Sequence, residues 1–531
     1  MSTVPNLQRR EEPGQDTGLP EGWAETTLTE VCEINPPKPP VGSIPSGAPV
    51  TFVPMPAVDA ELGAITKPET RPYARVRNGY TSFREGDVIM AKITPCMENG
   101  KAAIARNLET GLGFGSTEFH VLRPTEAVLA EFVYHFIRQE SYRNGAESEM
   151  TGSVGQKRVP AELLKSTTLP LPPLAEQKRI VTKIEELLER NRAARQRLAR
   201  VPLILKAFRQ AVLAAACSGH LTEDWREGRP DIEPADKLIE RIRQSRLKSA
   251  RGGGIVEPAL LDGRTGEMPG LPTEWCWVVF GTVVAELRNG ISTKPEQQPP
   301  GNPILRISSV RSGAVLLNDV RYLPDSDDLV QKYALVDDDL LFTRYNGSLE
   351  LLGVCGMVRG LGKATLLYPD KLMRVRFDHP YVLPHYAEIF FQSPGARHEI
   401  TAKSKSSAGQ QGISGADVKA QPFALPSLEE QKEIVRRVEA LFKLADRIEK
   451  RVQAATKRAD KLGQAILAKA FRGELVPTEA ELGRHEGRDY ESASVLLERI
   501  RRRQEGSRKT GRHNSRLPRQ KDSGRKALAR P

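Results

Sequence analysis

Two stretches of the chain carry apolar residues at alternating steps of four and three positions, which is the pattern of a coiled-coil seam. In the C-terminal half the seam runs from Ile434 to Ile466. Its larger inner members are Val438, Leu441, Ile448, Val452 and Leu462. The N-terminal half repeats the pattern at Ile184, Leu187, Asn191, Leu198 and Leu205. The one polar member, Asn191, predicts either a residue that fixes register or a partly wet position.

The two seams belong to a sequence repeat. Residues Leu171–Val181 return at Leu425–Val435, 254 positions later, with eight identities in eleven positions. The same offset holds as far as Gly219 and Gly473, so the whole stretch repeats without a gap. A duplicated unit implies a pseudo-twofold architecture, which suits a task performed at two equivalent places.

Each repeat predicts one long amphipathic helix. Ser427 and Glu430 form a capping-box pattern at the start of the second helix. Gly219 and Gly473 are expected to end the two helices, and Pro202 predicts a kink or local break in the first. Because neither helix can bury its seam alone, we expect the two to pair as an intramolecular two-helix coiled coil.

A weaker repeat precedes each helix. Leu19–Trp23 resembles Leu271–Trp275, and Phe83–Lys92 resembles Leu335–Arg344. Both regions mix short strand-like runs with Gly and Pro punctuation and one helical piece. They predict two α+β domains of roughly 150 residues each, a size that buries a core. The domains share a frame and differ in their loops, as expected if each binds a different target.

The charge of the chain suggests a nucleic-acid partner. Lys and Arg number 79 against 67 Asp and Glu, a formal net charge of +12. Most of the excess lies between Arg499 and Pro531, which holds 13 basic and two acidic residues. This composition predicts a disordered tail that either binds phosphates without sequence preference or is merely solvated. The first 18 residues are also expected to be disordered.

A search for catalytic motifs in the sequence fails. The five cysteines show no C-x-x-C spacing, and neither a phosphate loop nor H-E-x-x-H is present. Asn35–Lys38 lacks the aromatic residue with which an Asn-Pro-Pro-aromatic motif grips a flipped base, so we expect a turn there. No apolar run of membrane length is apparent, which favours a soluble, cytoplasmic protein. We therefore expect a binding protein without catalytic residues or a metal site.

The doubled Leu-Pro-x-Leu-x-Glu-Gln-Lys-x-Ile-Val signature, each copy between a variable domain and a long helix, resembles the specificity subunit of type I restriction-modification systems. The resemblance covers about residues 19 to 500. It implies two α+β target-recognition domains separated by a long antiparallel two-helix coiled coil with an internal pseudo-twofold repeat. It also implies a DNA-specificity function at an asymmetric bipartite site with an unread spacer.

The partners implied by this resemblance are double-stranded DNA, two methyltransferase subunits and restriction/translocase subunits. S-adenosylmethionine would be bound by the methyltransferase subunits, and ATP and magnesium by the restriction subunit, while this chain would hold no cofactor. Two alternatives stay open on the sequence alone. One is the specificity subunit of a methylation-only or related phage-defence complex, and the other is a non-catalytic coiled-coil scaffold.

The resemblance divides the chain into eight segments. They are a disordered N-terminus (1–18), target-recognition domain 1 (19–170), spacer helix 1 (171–220), a partner-docking segment and linker (221–270), target-recognition domain 2 (271–424), spacer helix 2 (425–474), a partner-docking helix (475–504) and a basic disordered tail (505–531). The docking assignment depends on the related pieces Leu238–Arg243 and Leu496–Arg501. Packing of these pieces against the long helices is the alternative.

Polar residues in the loops of the two domains are the candidates for DNA contact, because Arg can read guanine and Asn or Gln can read adenine. They are Lys92, Thr94, Lys101, Gln156, Lys157, Arg158, Arg344, Tyr345, Asn346, Lys403, Lys405, Gln410 and Gln411. Gln156 and Gln410 match at the repeat offset, so the alternative for them is a shared loop shape. Lys92 and Arg344 also match approximately, and phosphate contacts or plain surface charges are their alternatives.

Overall fold

The computed structural model describes residues 18–40, 42–153, 155–249, 270–377, 381–407 and 410–514. Outside this range lie the expected disordered N-terminus except Gly18, most of the expected linker, and residues 515–531 of the expected tail. The chain forms two compact units. Unit 1 combines residues 1–198 with 455–531, and unit 2 is formed by residues 199–454. Each unit therefore contains the beginning of one long helix and the end of the other.

The helices alternate between short domain elements and the two long spacer helices. They are α1 (Leu28–Val31), α2 (Tyr73–Val76), α3 (Ala130–Ile137), α4 (Glu140–Ser148), α5 (Ala161–Ser166), α6 (Leu174–Ser218), α7 (Glu223–Glu227), α8 (Ala235–Ser249), α9 (Asp327–Tyr333), α10 (Pro384–Gln392), α11 (Pro394–Ala402), α12 (Gly415–Lys419), α13 (Leu428–Phe471), α14 (Glu479–Glu486) and α15 (Ala493–Asn514). The expected disordered tail thus begins too early, because α15 continues to Asn514; its Arg, Lys and Gln residues are good helix formers.

The strands fall into two groups, one ahead of each spacer helix. In unit 1 they are β1 (Ala24–Thr27), β2 (Cys32–Ile34), β3 (Pro49–Val53), β4 (Val58–Asp59), β5 (Ala64–Ile65), β6 (Glu69–Pro72), β7 (Thr81–Arg84), β8 (Val88–Ala91), β9 (Ala102–Ile104), β10 (Leu112–Gly115), β11 (Phe119–Pro124) and β12 (Thr168–Leu171). In unit 2 they are β13 (Cys276–Val279), β14 (Val284–Asn289), β15 (Asn302–Leu305), β16 (Val310–Arg311), β17 (Ala314–Val315), β18 (Val320–Leu323), β19 (Leu340–Thr343), β20 (Tyr345–Asn346), β21 (Cys355–Met357), β22 (Leu372–Phe377), β23 (Lys405–Ser407), β24 (Gln410–Gly412) and β25 (Pro422–Leu425).

The two α+β domains share the predicted frame. A four-stranded sheet of order β2-β11-β8-β9 in unit 1 corresponds to β14-β22-β19-β21 in unit 2. An antiparallel pair joins the first strand of each domain to the strand before the spacer helix, β1 with β12 and β13 with β25. Asp87 and Asp339, aligned in the sequence, are both buried and both bind an arginine of the neighbouring strand, Arg123 or Arg376, through two hydrogen bonds.

Outside this frame the domains differ. Unit 1 has a second four-stranded sheet of order β6-β3-β10-β7 and a small hairpin, β4 with β5. Unit 2 instead has two-stranded sheets, β15 with β18 and β16 with β17, and a three-stranded sheet of order β20-β24-β23. The variable parts of the two sequences therefore build different sheets on one common support.

Helices α6 and α13 pair antiparallel within each unit, as predicted. In unit 1, Ile184 near the start of α6 shares a core with Ile466 near the end of α13. In unit 2, Val212 near the end of α6 shares a core with Val438 near the start of α13. Asn191 donates a hydrogen bond of 2.9 Å from its amide to the carbonyl oxygen of Ala459 on α13, which favours the register role over a wet position.

The seam is buried as predicted, with one exception. Ile184, Leu205 and Val438 are buried, and Leu187, Asn191, Leu198, Leu441, Ile448 and Val452 are partly buried. Leu462 is 49% exposed, so its assignment to the seam is wrong. The residue after Ala459 that faces α6 is Gly463, four positions further on, and not Leu462, three positions further on. Gly463 packs closely against α6, because a Cβ added to it would lie 3.7 Å from Leu188. A straight α-helix has about 3.6 residues per turn, so a strict seven-residue repeat slowly rotates away from the partner helix. The four-residue step at this point corrects that rotation.

The helix ends agree with the predictions, and the start of the second long helix agrees only in part. Gly219 and Gly473 follow the two helices with φ of +83° and +74°. Helix α6 continues through Pro202, so a break there is wrong, while the alternative of a kink stays a prediction. At the start of α13 the Glu430 amide binds Ser427 Oγ at 3.2 Å, but the Glu430 carboxylate points to more distant residues, so the reciprocal half of the capping box is wrong.

The segments after the spacer helices pack into the units. The apolar residues of α8, such as Leu238 and Ile242, are buried in the core of unit 2. Those of α15, such as Leu496 and Ile500, are buried in the core of unit 1. These apolar faces are therefore used for packing, and any partner docking must use other faces of α8 and α15.

Helix α6 is long and apolar enough, by length and composition alone, to cross a membrane. The sequence-based statement that no run reaches this length is therefore wrong. Because Ile184 and Val212 of this helix are buried in cores shared with α13, one such helix is weak evidence for a membrane span.

Candidate nucleic-acid interface

The Glu of the repeated Glu-Gln pair joins each domain to its spacer helix. In unit 1 the indole N–H of Trp23 donates to Glu176 at 2.9 Å, and the Glu479 amide donates to the same carboxylate at 2.8 Å. Burial raises the pKa of Glu176 above its ordinary value. Sequence reasoning missed this contact, because Trp23 lies 153 residues away from Glu176.

Unit 2 contains the equivalent contact. The indole N–H of Trp275 donates to Glu430 at 2.8 Å, and Thr222 and Arg226 donate to the other carboxylate oxygen at 2.6 and 2.5 Å. We call the Trp–Glu contact together with the adjacent strand pair (β1 with β12, or β13 with β25) the joint of each unit. The joint has the same Trp–Glu contact in both units. The further donors come from the segment after the other long helix, and they are a backbone N–H in unit 1 and a hydroxyl and a charged arginine in unit 2.

In unit 1 the structure brings together candidate residues that are distant in the sequence. Lys92–Thr94 follow β8, and Ile93 pairs with Arg158 in an isolated bridge. The Thr94 amide also donates to the Lys157 carbonyl at 3.0 Å. Cluster 1 is defined by Lys92, Thr94, Gln156, Lys157 and Arg158.

The members of cluster 1 differ in how free their side chains are. Gln156 and Lys157 are exposed. Thr94 is half-buried with Oγ1 3.9 Å from Met150 Sδ. Arg158 donates two hydrogen bonds to Glu118, at 2.9 and 3.0 Å, and thereby holds the pKa of that carboxyl below its usual range. Gln156 and Lys157 are therefore better placed for an outside ligand than Arg158.

The loop that carries Gln156 is held by backbone bonds. Arg158 and Thr151 exchange N–H to O=C bonds of 2.8 and 3.0 Å, and the Gln156 amide donates to the Ser153 carbonyl at 2.9 Å. Within the described part of the chain the Gln156 side chain forms no hydrogen bond. A base contact and a shared loop shape both stay predictions for Gln156.

In unit 2 the three-stranded sheet β20-β24-β23 lies after β19, the strand that corresponds to β8 of unit 1. Arg344 follows β19 directly, and β20 pairs Tyr345 with Gly412 and Asn346 with Gln411. Strand β23 adds Lys405, which lies opposite Gly412. Cluster 2 is defined by Arg344, Tyr345, Asn346, Lys405 and the Gln410–Gln411 pair. It occupies the position of cluster 1 in the shared frame, since Arg344 and Lys92 both follow the corresponding strands.

Arg344 is the cluster 2 residue best suited to contact a base. Its guanidinium carbon lies 4.8 Å from the centre of the Tyr345 ring, a cation–π contact that orients the planar group. Its Nε is buried and forms no hydrogen bond within the described residues. The neighbouring Asn346 is partly engaged, since its side-chain oxygen accepts the Ser348 amide at 3.1 Å.

Two candidates lie outside the clusters with their ammonium groups engaged. Lys101 Nζ donates to the Met55 carbonyl at 3.2 Å, and Lys403 Nζ donates to the Ala420 carbonyl at 3.1 Å. The Asn35 side chain, in the predicted turn, lies 3.0 Å from His120 Nδ1 and accepts the Val121 amide at 3.0 Å. Among the described residues, no group of His, Cys, Asp and Glu is arranged to hold a metal ion.

Comparison with known proteins identifies the family. The model of the type I restriction modification DNA specificity domain matches residues 20–203 and 284–458. The chain is 42% identical over 401 residues to the type I restriction enzyme EcoKI specificity subunit of Escherichia coli strain K12, covering 74% of this chain and 76% of the relative. It is 32% identical over 397 residues to the StySPI specificity subunit of Salmonella potsdam, with the same coverage of both chains.

Solved structures show the same fold. The crystal structure of the HsdS subunit from Thermoanaerobacter tengcongensis matches with a TM-score of 0.58 and 21% identity, covering 86% of this chain and 98% of that one. The predicted fold class is confirmed, with two α+β domains, an antiparallel pair of long helices and an internal repeat. The family model covers most of the chain in two segments, one in each half of the sequence repeat. The chain therefore belongs to the family of type I restriction-modification DNA specificity subunits.

Proposed function

We propose that this chain binds double-stranded DNA at an asymmetric bipartite site and directs methyltransferase and restriction subunits to that site. Domain 1 reads one half-site through cluster 1, and domain 2 reads the other through cluster 2. The helix pair fixes the number of base pairs between the two half-sites that the domains bind. The chain contributes recognition and no catalytic step, in a cytoplasmic complex.

The observation that supports this proposal is the correspondence of the two clusters. Lys92 and Arg344 follow corresponding strands of the shared sheet, yet cluster 1 adds Gln156 and Lys157 beside Lys92, and cluster 2 adds Asn346 and Gln411 beside Arg344. Equivalent positions with different side chains are what two different half-sites require. Gln and Asn pair with adenine and Arg with guanine in the major groove, whereas Lys also serves as a phosphate contact.

The partners follow from the family. The relatives are named as specificity subunits of type I restriction enzymes, and a complex of this kind needs other subunits for chemistry. The internal repeat offers two equivalent positions, which suits two methyltransferase subunits. S-adenosylmethionine would be held by those subunits, and ATP and magnesium by a restriction subunit.

The test is single-molecule methylome sequencing of cells that express this chain with its methyltransferase subunit, against cells that lack this chain alone. A modified-base pattern at one asymmetric bipartite motif should vanish without the chain. Inserting two or three base pairs between the mapped half-sites should abolish methylation of the site. An unchanged methylome, with the methyltransferase expressed and folded, would contradict the proposal.

A further inference from the structure

The Gln of the repeated Glu-Gln pair forms a second link between helix and domain in unit 1. Gln177 is completely buried. Its side-chain oxygen accepts the Leu129 amide at 3.0 Å, at the residue before α3. Its side-chain nitrogen donates to the carbonyl oxygens of Ala127 at 2.9 Å and Pro172 at 3.0 Å. One amide thus ties the start of α6 to the loop that leads into α3 and to the turn before α6.

Gln431 repeats this arrangement in unit 2. It is also completely buried. Its oxygen accepts the Leu383 amide at 2.8 Å, at the residue before α10, and its nitrogen donates to the carbonyls of Tyr381 at 3.3 Å and Pro426 at 3.1 Å. Each of the three bonds of Gln177 therefore has a counterpart in unit 2, made to the corresponding loop and turn.

All six hydrogen bonds of the two glutamines are made to backbone groups of the loop and the turn that each glutamine contacts. The link therefore does not depend on which side chains the variable domain carries, and it works equally for two domains of different sequence. A primary amide has two N–H donors and an oxygen acceptor, and both glutamines use all of these with groups inside the unit. Loss of the amide would remove these bonds from one N–H and two carbonyls that are buried or partly buried.

The link lies at a different point of the domain from the joint. The joint holds the first strand of the domain, through the β1–β12 or β13–β25 pair and the Trp–Glu contact. Gln177 or Gln431 holds the loop before α3 or α10, more than a hundred residues further along the chain. Two attachment points, added to the apolar core that each domain shares with the long helices, restrict rotation of the domain more than one alone would.

We propose that Gln177 and Gln431 are positioning residues that fix the tilt of each recognition domain on its spacer helix, and so limit the spacer lengths that the protein accepts in DNA. This inference rests on the proposed function. A domain of this size has a radius of gyration of about 15 Å. A tilt of about 13° therefore shifts its reading surface by about 3.4 Å, which is one step along a DNA strand.

The test uses Gln431→Met and Gln177→Met in the full chain assembled with its methyltransferase subunits. The substrates are three duplexes with the mapped site, carrying the native spacer or a spacer one base pair shorter or longer. Matched controls are Gln421→Met and Gln139→Met, because both glutamines are buried in the same units and donate a hydrogen bond only within their own domain, to Asp417 and Phe136.

We expect the methylation rate on the altered spacers, relative to the native spacer, to rise at least about fivefold with either link variant and to stay at the wild-type ratio with the controls. An equal loss of rate on all three duplexes would overturn the inference, because it would show a purely structural role. Should the methionine variants fail to fold, Gln431→Asn keeps the amide donors and acceptor on a shorter side chain and should give an intermediate rise, and no rise would again overturn the inference. Wild-type protein that ignores spacer length would instead contradict the proposed function.

Discussion

The joints and the recognition clusters repeat to very different degrees between the two units. The Trp–Glu contact has nearly the same length in both, 2.9 Å at Glu176 and 2.8 Å at Glu430. Clusters 1 and 2, in contrast, share a position and differ in most of their residues, although Gln156 and Gln410 match at the repeat offset. The comparison teaches that the sequence repeat preserves what attaches a domain to a helix, while the residues turned to the outside are free to diverge.

The helix pair shows a third behaviour, in which some corresponding positions of the two long helices carry opposite charges. In unit 1 Arg195 on α6 pairs with Asp460 on α13 at 3.1 Å. In unit 2 Arg209 on α6 pairs with Asp446 and Glu449 on α13 at 2.8 and 3.0 Å. The repeat counterpart of Arg195 is Glu449. Each long helix thus carries charges that suit the other helix better than a copy of itself.

The largest difference between the joints should appear when the central carboxylate is removed. Glu430→Leu leaves the Arg226 guanidinium without its buried partner and should cost about 3 to 5 kcal/mol of unfolding free energy. Glu176→Leu leaves two neutral donors, Trp23 and the Glu479 amide, and should cost about 1 to 3 kcal/mol. Urea unfolding followed by tryptophan fluorescence measures both, and equal losses would contradict the comparison.

The clusters should differ in the kind of DNA contact that they make. Arg344→Ala should cost about 1 to 3 kcal/mol of binding free energy and relax one base position, because a guanidinium oriented by the Tyr345 ring can pair with guanine. Lys92→Ala should weaken binding uniformly across sequences and reduce its salt dependence, as a phosphate contact does. Competition binding with single-base variants of the mapped site distinguishes the two. Uniform weakening by Arg344→Ala would assign that residue to phosphate instead.

A smaller, pH-dependent difference lies at the start of α13. The Arg436 guanidinium, followed by Arg437, lowers the pKa of Glu433 to about 2. A depressed carboxyl pKa contributes stability that is present above the unfolded pKa and lost as the pH falls from about 4.5 towards 2. The gain is at most about 1 kcal/mol, because Arg436 is largely exposed. The repeat counterpart in α6 is Arg179, which has no carboxyl to titrate.

Glu433→Gln should therefore flatten the acid side of the thermal stability profile. The measurement is the melting temperature between about pH 5 and 3, compared with the wild-type chain, in which the Glu433 contribution is intact. An acid slope unchanged by Glu433→Gln would show that these exposed pairs contribute nothing measurable.

The smallest effect concerns the seam. Leu462→Gln should change stability by less than about 0.5 kcal/mol, because Leu462 is 49% exposed. Ile466→Ala, one turn further along and 6% exposed, should cost about 2 to 5 kcal/mol as the matched control. Comparable losses from the two substitutions would restore Leu462 to the seam.

The sequence predicted the features that depend on local periodicity and on the repeat. The helix pair, its ends at Gly219 and Gly473 and the two related domains all follow from spacing. Glu430 was misinterpreted because a capping box is a local pattern, whereas the partner of its carboxylate is Trp275, 155 residues away. Leu462 was misplaced because a heptad rule does not record where a helix takes up its drift.

The candidate DNA contacts were predicted only as scattered residues. Their grouping depends on strand pairing between segments distant in the sequence, such as Asn346 with Gln411. Which of their side chains are already engaged, like those of Arg158 and Lys101, is decided by partners that no local pattern reveals.

The central claim is that each unit reads its own half-site through the cluster that follows its shared strand. The most direct test is methylome sequencing of cells carrying Gln156→Ala or Arg344→Ala, each expressed with the methyltransferase subunit and compared with the wild-type chain. We predict that each substitution relaxes base positions in one half-site only and that the two affect opposite halves of the motif. If both substitutions changed the same half-site, or neither changed the motif, the claim would be contradicted.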